Sequence, residues 1–283
     1  MTRRLKLISG LSTIAATGAL ALAGCGAEGE GEGAPAQNSS AMAVGEGEGD
    51  RPVLAAAVGA PAAGEGEGGV DIAAAATDPV VFTAALAIAE AHVLAARDAY
   101  AAGRTQEAAE MFAHPVSEVL ADMEGSLAAR GVAPLNDLFI AASEGALAGE
   151  TPVAIAARTA AIVDALSAAA KNAPSDGRSA AAVASGVASD QIDRAVDMYR
   201  LATASGAYGN YLDGYGFYRA AESAFARSRA EIERDNPAAA AQIAAALTAL
   251  AAAYPSAAPQ SEIKADVAAL SAASSRVMLA LGR

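Results

Sequence analysis

The chain has 283 residues, of which 54% are nominally hydrophobic and only 4% aromatic, and it carries a formal charge of -13 with a pI near 4.6. Clustered Lys and Arg for neutralising phosphates are missing, which excludes a general nucleic-acid binder. One cysteine and two histidines exclude an internal disulfide, a paired C-x-x-C zinc site, covalent haem attachment and a site built from many histidines.

The chain opens with a basic stretch, Thr2-Arg3-Arg4-Leu5-Lys6, followed by an apolar run over 7–22. This is the order of charge and hydrophobicity of a secretory signal, and the run is too short to span a bilayer comfortably. It ends in Leu22-Ala23-Gly24-Cys25. These four residues resemble the lipobox of bacterial lipoproteins. The resemblance implies a signal peptide over 1–24, cleavage before Cys25, acyl chains on Cys25 and a protein held at the membrane by those chains. Gly26 rather than Asp follows the cysteine. By the same resemblance this implies a periplasmic protein anchored at the outer rather than the inner membrane.

From Cys25 to Thr77 the composition changes to Gly, Ala, Glu, Pro and Ser, with alternating Gly and Glu over 28–33, 45–50 and 64–69. Such tracts bury no face at any period, so the segment 25–77 reads as a disordered, self-repelling tether. Residues 1–77 hold four basic and nine acidic side chains, which leaves the remainder at net -8. The domain is acidic in its own right.

Over 78–283 the apolar spacing is helical throughout, and alanine dominates it. Alanine favours helix and buries little area per residue, so a core here needs many close-packed helices. The expected fold is all-α, an antiparallel bundle or stacked hairpins of about seven to eight helices joined by short connections. Asp78-Pro79 reads as a cap followed by proline in the first turn, opening a helix that ends before Gly103. A second helix begins near Thr105, meets Pro115, kinks or restarts there, and runs on to Gly131. Further helices are expected over 134–148, 152–171, 177–205, 210–235, 236–254 and 259–281. The segment 99–109 resembles the middle of a tetratricopeptide unit, but no second copy follows, so one hairpin is expected there.

The two histidines carry the chemistry of this reading. His92 and His114 each lie 11 residues from Gly103, so an antiparallel hairpin turning at Gly103 sets them at one level. Glu118 follows His114 by four residues and shares its helix face if the helix continues through Pro115. Two imidazoles and a carboxylate suit a divalent or ferric transition ion (iron, copper or zinc), with the Met111 carbonyl, released by the proline, as a further acceptor. The alternative is structural histidines. Two facing imidazoles are also the arrangement that holds haem between helices. His114-Pro115-Val116-Ser117-Glu118 resembles the imelysin group associated with iron uptake, whose motif has Gly two residues before the His and Glu three residues after it. Here Phe112 stands in place of that Gly, and the Glu comes at four. The resemblance implies a helical bundle with a His and Glu metal site.

A second cluster holds Tyr208, Tyr211, Tyr215 and Tyr218 at spacings of three, four and three, one stripe on a helix. In so aromatic-poor a chain the stripe reads first as core. Its alternative is a polar ligand pocket of Tyr208, Tyr211, Asp213 and Tyr215, opened by the neighbouring glycines. Arg219, Arg227, Arg229 and Arg234 with Glu222, Glu231 and Glu233 read as a solvated charged face. No nucleophile elbow, phosphate loop or H-E-x-x-H motif is present. The expected function is therefore a lipid-anchored, non-catalytic metal-binding protein for uptake or buffering. The alternative is an envelope scaffold that docks another protein. Acyl chains on Cys25 would make the membrane its first partner, and no nucleic acid is expected.

Overall fold

A computed structural model of the chain describes residues 69–258, 260–261 and 264–282. The expected signal peptide, the lipobox-like stretch with Cys25 and all but the last residues of the expected tether lie outside the described residues. Among those described, every regular element is helical: α1 (Ile72–Ala75), α2 (Pro79–Ala101), α3 (Thr105–Pro115), a π-helical turn (Val116–Leu120), α4 (Ala121–Ala129), α5 (Asn136–Leu147), α6 (Pro152–Ala170), α7 (Ala180–Ser205), α8 (Tyr208–Asp235), α9 (Pro237–Ala253) and α10 (Val267–Ala280). The all-α expectation holds. The single turn α1 falls inside the stretch assigned by composition to the tether, and Val70 just before it is buried.

Capping fixes most of the starts. Asp78 accepts hydrogen bonds from the Val80 and Val81 amides at 2.7 and 3.2 Å, and Pro79 stands in the first turn, where no donor is needed. Thr151 with Pro152, and Asn236 with Pro237, repeat the device for α6 and α9. Ser179, not Gly177, caps α7, and Gly177 is left at φ 89° in the preceding loop. The last helix departs furthest from expectation. It starts at Val267 rather than near residue 259, because Asp266 caps it and the Ala265 amide is taken by the Tyr199 hydroxyl at 2.8 Å.

Helices α7, α8, α9 and α10 pack around one another as a four-helix bundle, with α7 and α8 as its longest rods. Helix α2 lies against the α7–α8 face and is enclosed on its other sides by α3 and α6. Its apolar sequence is thus explained by burial from Pro79 to Ala99. Close approach is possible because the facing residues are small. A Cβ on Gly216 of α8 would lie 2.5 Å from the Ala91 carbonyl oxygen and 3.1 Å from the Ala95 Cβ on α2. This contact sets α2 and α8 side by side at the level of His92.

Two arginines of the expected solvated face turn inward instead. Arg227 of α8 clamps Glu90 of α2, which is 4% exposed, with contacts of 2.8 and 3.1 Å. Arg219 reaches Asp98 and the Tyr215 hydroxyl at 3.3 and 3.0 Å. Helix α2 is mostly buried, and the long arginines of α8 reach its Glu90 and Asp98 carboxylates.

Candidate metal centre

His92 projects from the middle of α2 and is buried. Its Nδ1 lies 2.8 Å from the Ile88 carbonyl oxygen one turn back. A carbonyl oxygen only accepts, so Nδ1 carries the proton and Nε2 presents its lone pair, which is the arrangement of a histidine ligand with its second nitrogen held by the backbone. Burial lowers the His92 pKa below its ordinary value, opposed by the Ile88 hydrogen bond and the Glu118 charge and assisted by His114 and Arg194. The ring therefore stays neutral and able to ligate. Phe217 of α8 meets it edge-on at 6.0 Å between ring centroids, fixing the imidazole plane.

The hairpin at Gly103, with φ 79°, brings His114 to the same level. The two imidazole centroids lie 5.7 Å apart with planes at 73°. Beyond Pro115 the rod is not broken, but it widens into the π-turn, whose exit bond runs from the Ala121 amide to the Val116 carbonyl. Proline cannot donate to the ladder, and an extra residue in the turn is one way a helix accommodates that loss. The widened turn carries Glu118 to both rings, with Oε2 3.6 Å from His92 Nε2 and Oε1 3.8 Å from His114 Nδ1.

The fourth group comes from α8. Asp213 Oδ1 lies 3.8 Å from His92 Nε2 and is buried without a hydrogen-bond partner. Burial pushes its pKa up to about 6 from an ordinary 3.8, with the His114 charge pulling the other way. One ligand atom from each of His92, His114 and Asp213 falls within 4.8 Å of the others, an arrangement able to coordinate a metal ion. Two ligands about 2.1 Å from a tetrahedral ion lie about 3.4 Å apart. The spacings of 3.6 and 3.8 Å need only small side-chain movements to reach that value. His114, at 42% exposure, leaves the outer side open to solvent. The residues present therefore fit a divalent transition ion: two imidazoles, one or two carboxylates, and an orphaned buried oxygen that a cation would satisfy.

The tyrosines go elsewhere. Tyr208, Tyr211 and Tyr215 donate their hydroxyls to Ala257 O at 2.5 Å, Ser256 O at 2.9 Å and Asp98 Oδ2 at 2.8 Å. Their rings join those of Tyr218, Tyr254 and Tyr199 in one contiguous aromatic cluster, whose closest centroid pairs are at 5.2 Å. This is core packing. Asp213 leaves the stripe because it sits about 200° around the helix from Tyr211, on the face that carries Phe217 toward α2. The sequence pattern grouped Asp213 and Gly216 with the tyrosines as a possible pocket and gave Phe217 no role of its own. The signal was available: Asp213, Gly216 and Phe217 share one face at the i, i+3, i+4 spacing, with a carboxylate and a close-contact glycine opposite the aromatic stripe.

Residues 209–281, which span most of α8 and all of α9 and α10, match a family described as an iron permease-associated 4-helix bundle domain. The matched segment contains Asp213, and the two histidines precede it. Neither the curated proteins nor the solved structures contain a match.

Proposed function

We propose that this chain is a non-catalytic, lipid-anchored periplasmic protein that captures a divalent transition ion for uptake or buffering, through His92, His114 and Asp213 with Glu118 as a further carboxylate. The observation that carries this reading is the buried, partnerless Asp213 Oδ1 aimed at the lone pair of His92. A carboxylate is costly to bury alone, and a cation at that point removes the cost. The similarity of residues 209–281 to an iron permease-associated domain supports iron as the cargo. An N and O donor set binds Cu(II) and Zn(II) more tightly than Fe(II) whatever its role, so metal supply in the compartment selects the cargo. Haem fits less well: its porphyrin plane would have to pass where both carboxylates stand within 4 Å of His92 Nε2.

The test is calorimetric titration of the full chain with Zn(II), Cu(II) and anaerobic Fe(II), alongside the His92→Ala/His114→Ala double variant, and metal analysis of chain purified from cells grown with ample iron. One ion per chain in the parent and none in the double variant supports the reading. A parent that binds no ion, and whose melting temperature no ion raises, refutes it and favours the scaffold alternative.

A further inference from the structure

A second site lies away from the metal centre. A cavity of about 590 Å³ opens between α2, α6, α7 and α8, within the size range of small-molecule sites. Its walls are aliphatic, with Leu86, Leu166, Val183 and Val187 among them. Its polar features are few and set at defined points. Glu90 and Arg227 both line it, and the Glu90 carboxylate takes Arg227 Nη1 on Oε1 and Nη2 on Oε2, with the Ser223 hydroxyl donating to Oε1 at 2.7 Å. That end-on clamp leaves the Nε edge of the guanidinium without a partner among the described residues, a fork matched to a planar carboxylate. Lys171, at the end of α6, also lines the cavity, is exposed, and has no ion pair among the described residues.

Charge decides the kind of ligand. The lining holds Lys171, Arg178 and Arg227 against Glu90 and Asp176. It is therefore net positive by one, in a chain whose formal charge is -13. Arg178 is already committed to Asp78 and Asp176. One uncommitted ammonium and one guanidinium edge beside an aliphatic chamber complement a single anionic head on an apolar chain. We infer that this cavity binds an aliphatic monocarboxylate, its chain among Leu86, Leu166, Val183 and Val187 and its head between Lys171 and Arg227.

The experiment uses the full chain and three ligands of one chain length: dodecanoate, dodecanol and dodecyltrimethylammonium, titrated below their micellar concentrations. Dodecanoate should bind once per chain and at least about tenfold more tightly than the trimethylammonium. Lys171→Glu should reduce that preference by about fivefold or more while leaving dodecanol binding unchanged. Ala184→Phe and Ala170→Phe, which place a ring in the chamber from two different helices, should each abolish binding, and zinc titration of the metal centre should stay as in the parent. The inference is overturned if dodecanoate does not bind, if anionic and cationic chains bind alike, or if binding survives in both phenylalanine variants. A parent chain that binds dodecanoate but no zinc would sink the metal reading and leave this one standing.

Discussion

His92 Nε2 stands 3.8 Å from Asp213 Oδ1 across the seam between α2 and α8. The histidine has its other nitrogen tied to Ile88, and the carboxylate oxygen has no partner. The pair is thus arranged for a ligand that neither side chain can replace. A neutral imidazole and a carboxylate gain little from each other at that distance, whereas each gains from a cation between them.

This makes Asp213→Asn the most discriminating substitution. Burial raises the Asp213 pKa from 3.8 to about 6, so ionised Asp213 destabilises the folded apo chain. The penalty is absent below the unfolded-state value, develops as pH rises toward about 6, and is complete above it. Removing the charge should therefore stabilise the apo chain by on the order of 1–3 kcal/mol at pH 8 and by almost nothing at pH 3.5. Zinc affinity should fall by more than about tenfold in the same variant. Urea denaturation at the two pH values, with and without zinc, checks both halves. A variant that is less stable than the parent at pH 8 would contradict the account.

Metal affinity should itself depend on pH in a defined window. Asp213 must lose its proton to ligate, and His92 stays neutral because burial lowers its pKa. The dissociation constant should rise as pH falls through about 6, by about tenfold per pH unit or more, because His114 must also be unprotonated to ligate. Calorimetry between pH 5 and pH 8 in a non-chelating buffer measures it. In Asp213→Asn the rise should become shallower by about one proton per ion bound, leaving the dependence that His114 contributes.

How much of this was legible beforehand divides along physical lines. Capping and proline chemistry is local, so Asp78-Pro79, Thr151-Pro152 and Asn236-Pro237 announced their helices to within a residue or two. The level of His92 and His114 was legible too, because an antiparallel hairpin conserves distance from its turn, and Gly103 marks the turn. Rotation was not. Whether the rings face each other depends on how α2 and α3 rotate about their own axes, and whether Asp213 joins them depends on how α8 seats against α2, at a Gly216 contact between residues 125 positions apart in sequence. The same long-range seating moved Asp213 from the tyrosine stripe to the histidines and drew Arg227 onto Glu90. The late start of α10 was hidden because the competing partner for its backbone is Tyr199, on α7.

The seating itself can be tested with two glycines of α8. A Cβ at Gly216 would meet the Ala91 carbonyl oxygen at 2.5 Å, and a helix backbone cannot yield there without moving α8 away from α2. Gly216→Ala should cost about 1–3 kcal/mol, as overpacking does, and should weaken zinc binding by separating Asp213 from His92. Gly209, in the first turn of the same helix, has nothing within 4 Å of its Cβ position. Gly209→Ala should leave zinc binding intact and stabilise by up to about 1 kcal/mol. Thermal melts and zinc titrations of the two variants separate a seating effect from a general response of α8 to alanine.

Arg227→Ala tests whether the inward arginines hold the bundle together. Glu90 is 4% exposed and takes both guanidinium nitrogens, so deleting Arg227 leaves a buried carboxylate with only the Ser223 hydroxyl. Breaking one side of a buried pair costs about 3–5 kcal/mol, but Arg227 is 45% exposed and water can partly replace it. A loss nearer about 2 kcal/mol is therefore expected. Glu90→Gln keeps an acceptor for Ser223 and Arg227 while removing the buried charge, so it should cost clearly less than Arg227→Ala, and adding it to Arg227→Ala should recover stability. Denaturation of the two single variants and the double variant supplies the cycle. Additive losses, with no recovery in the double variant, would mean that Glu90 is solvated well enough to stand alone and that the clamp does not secure α2 to α8.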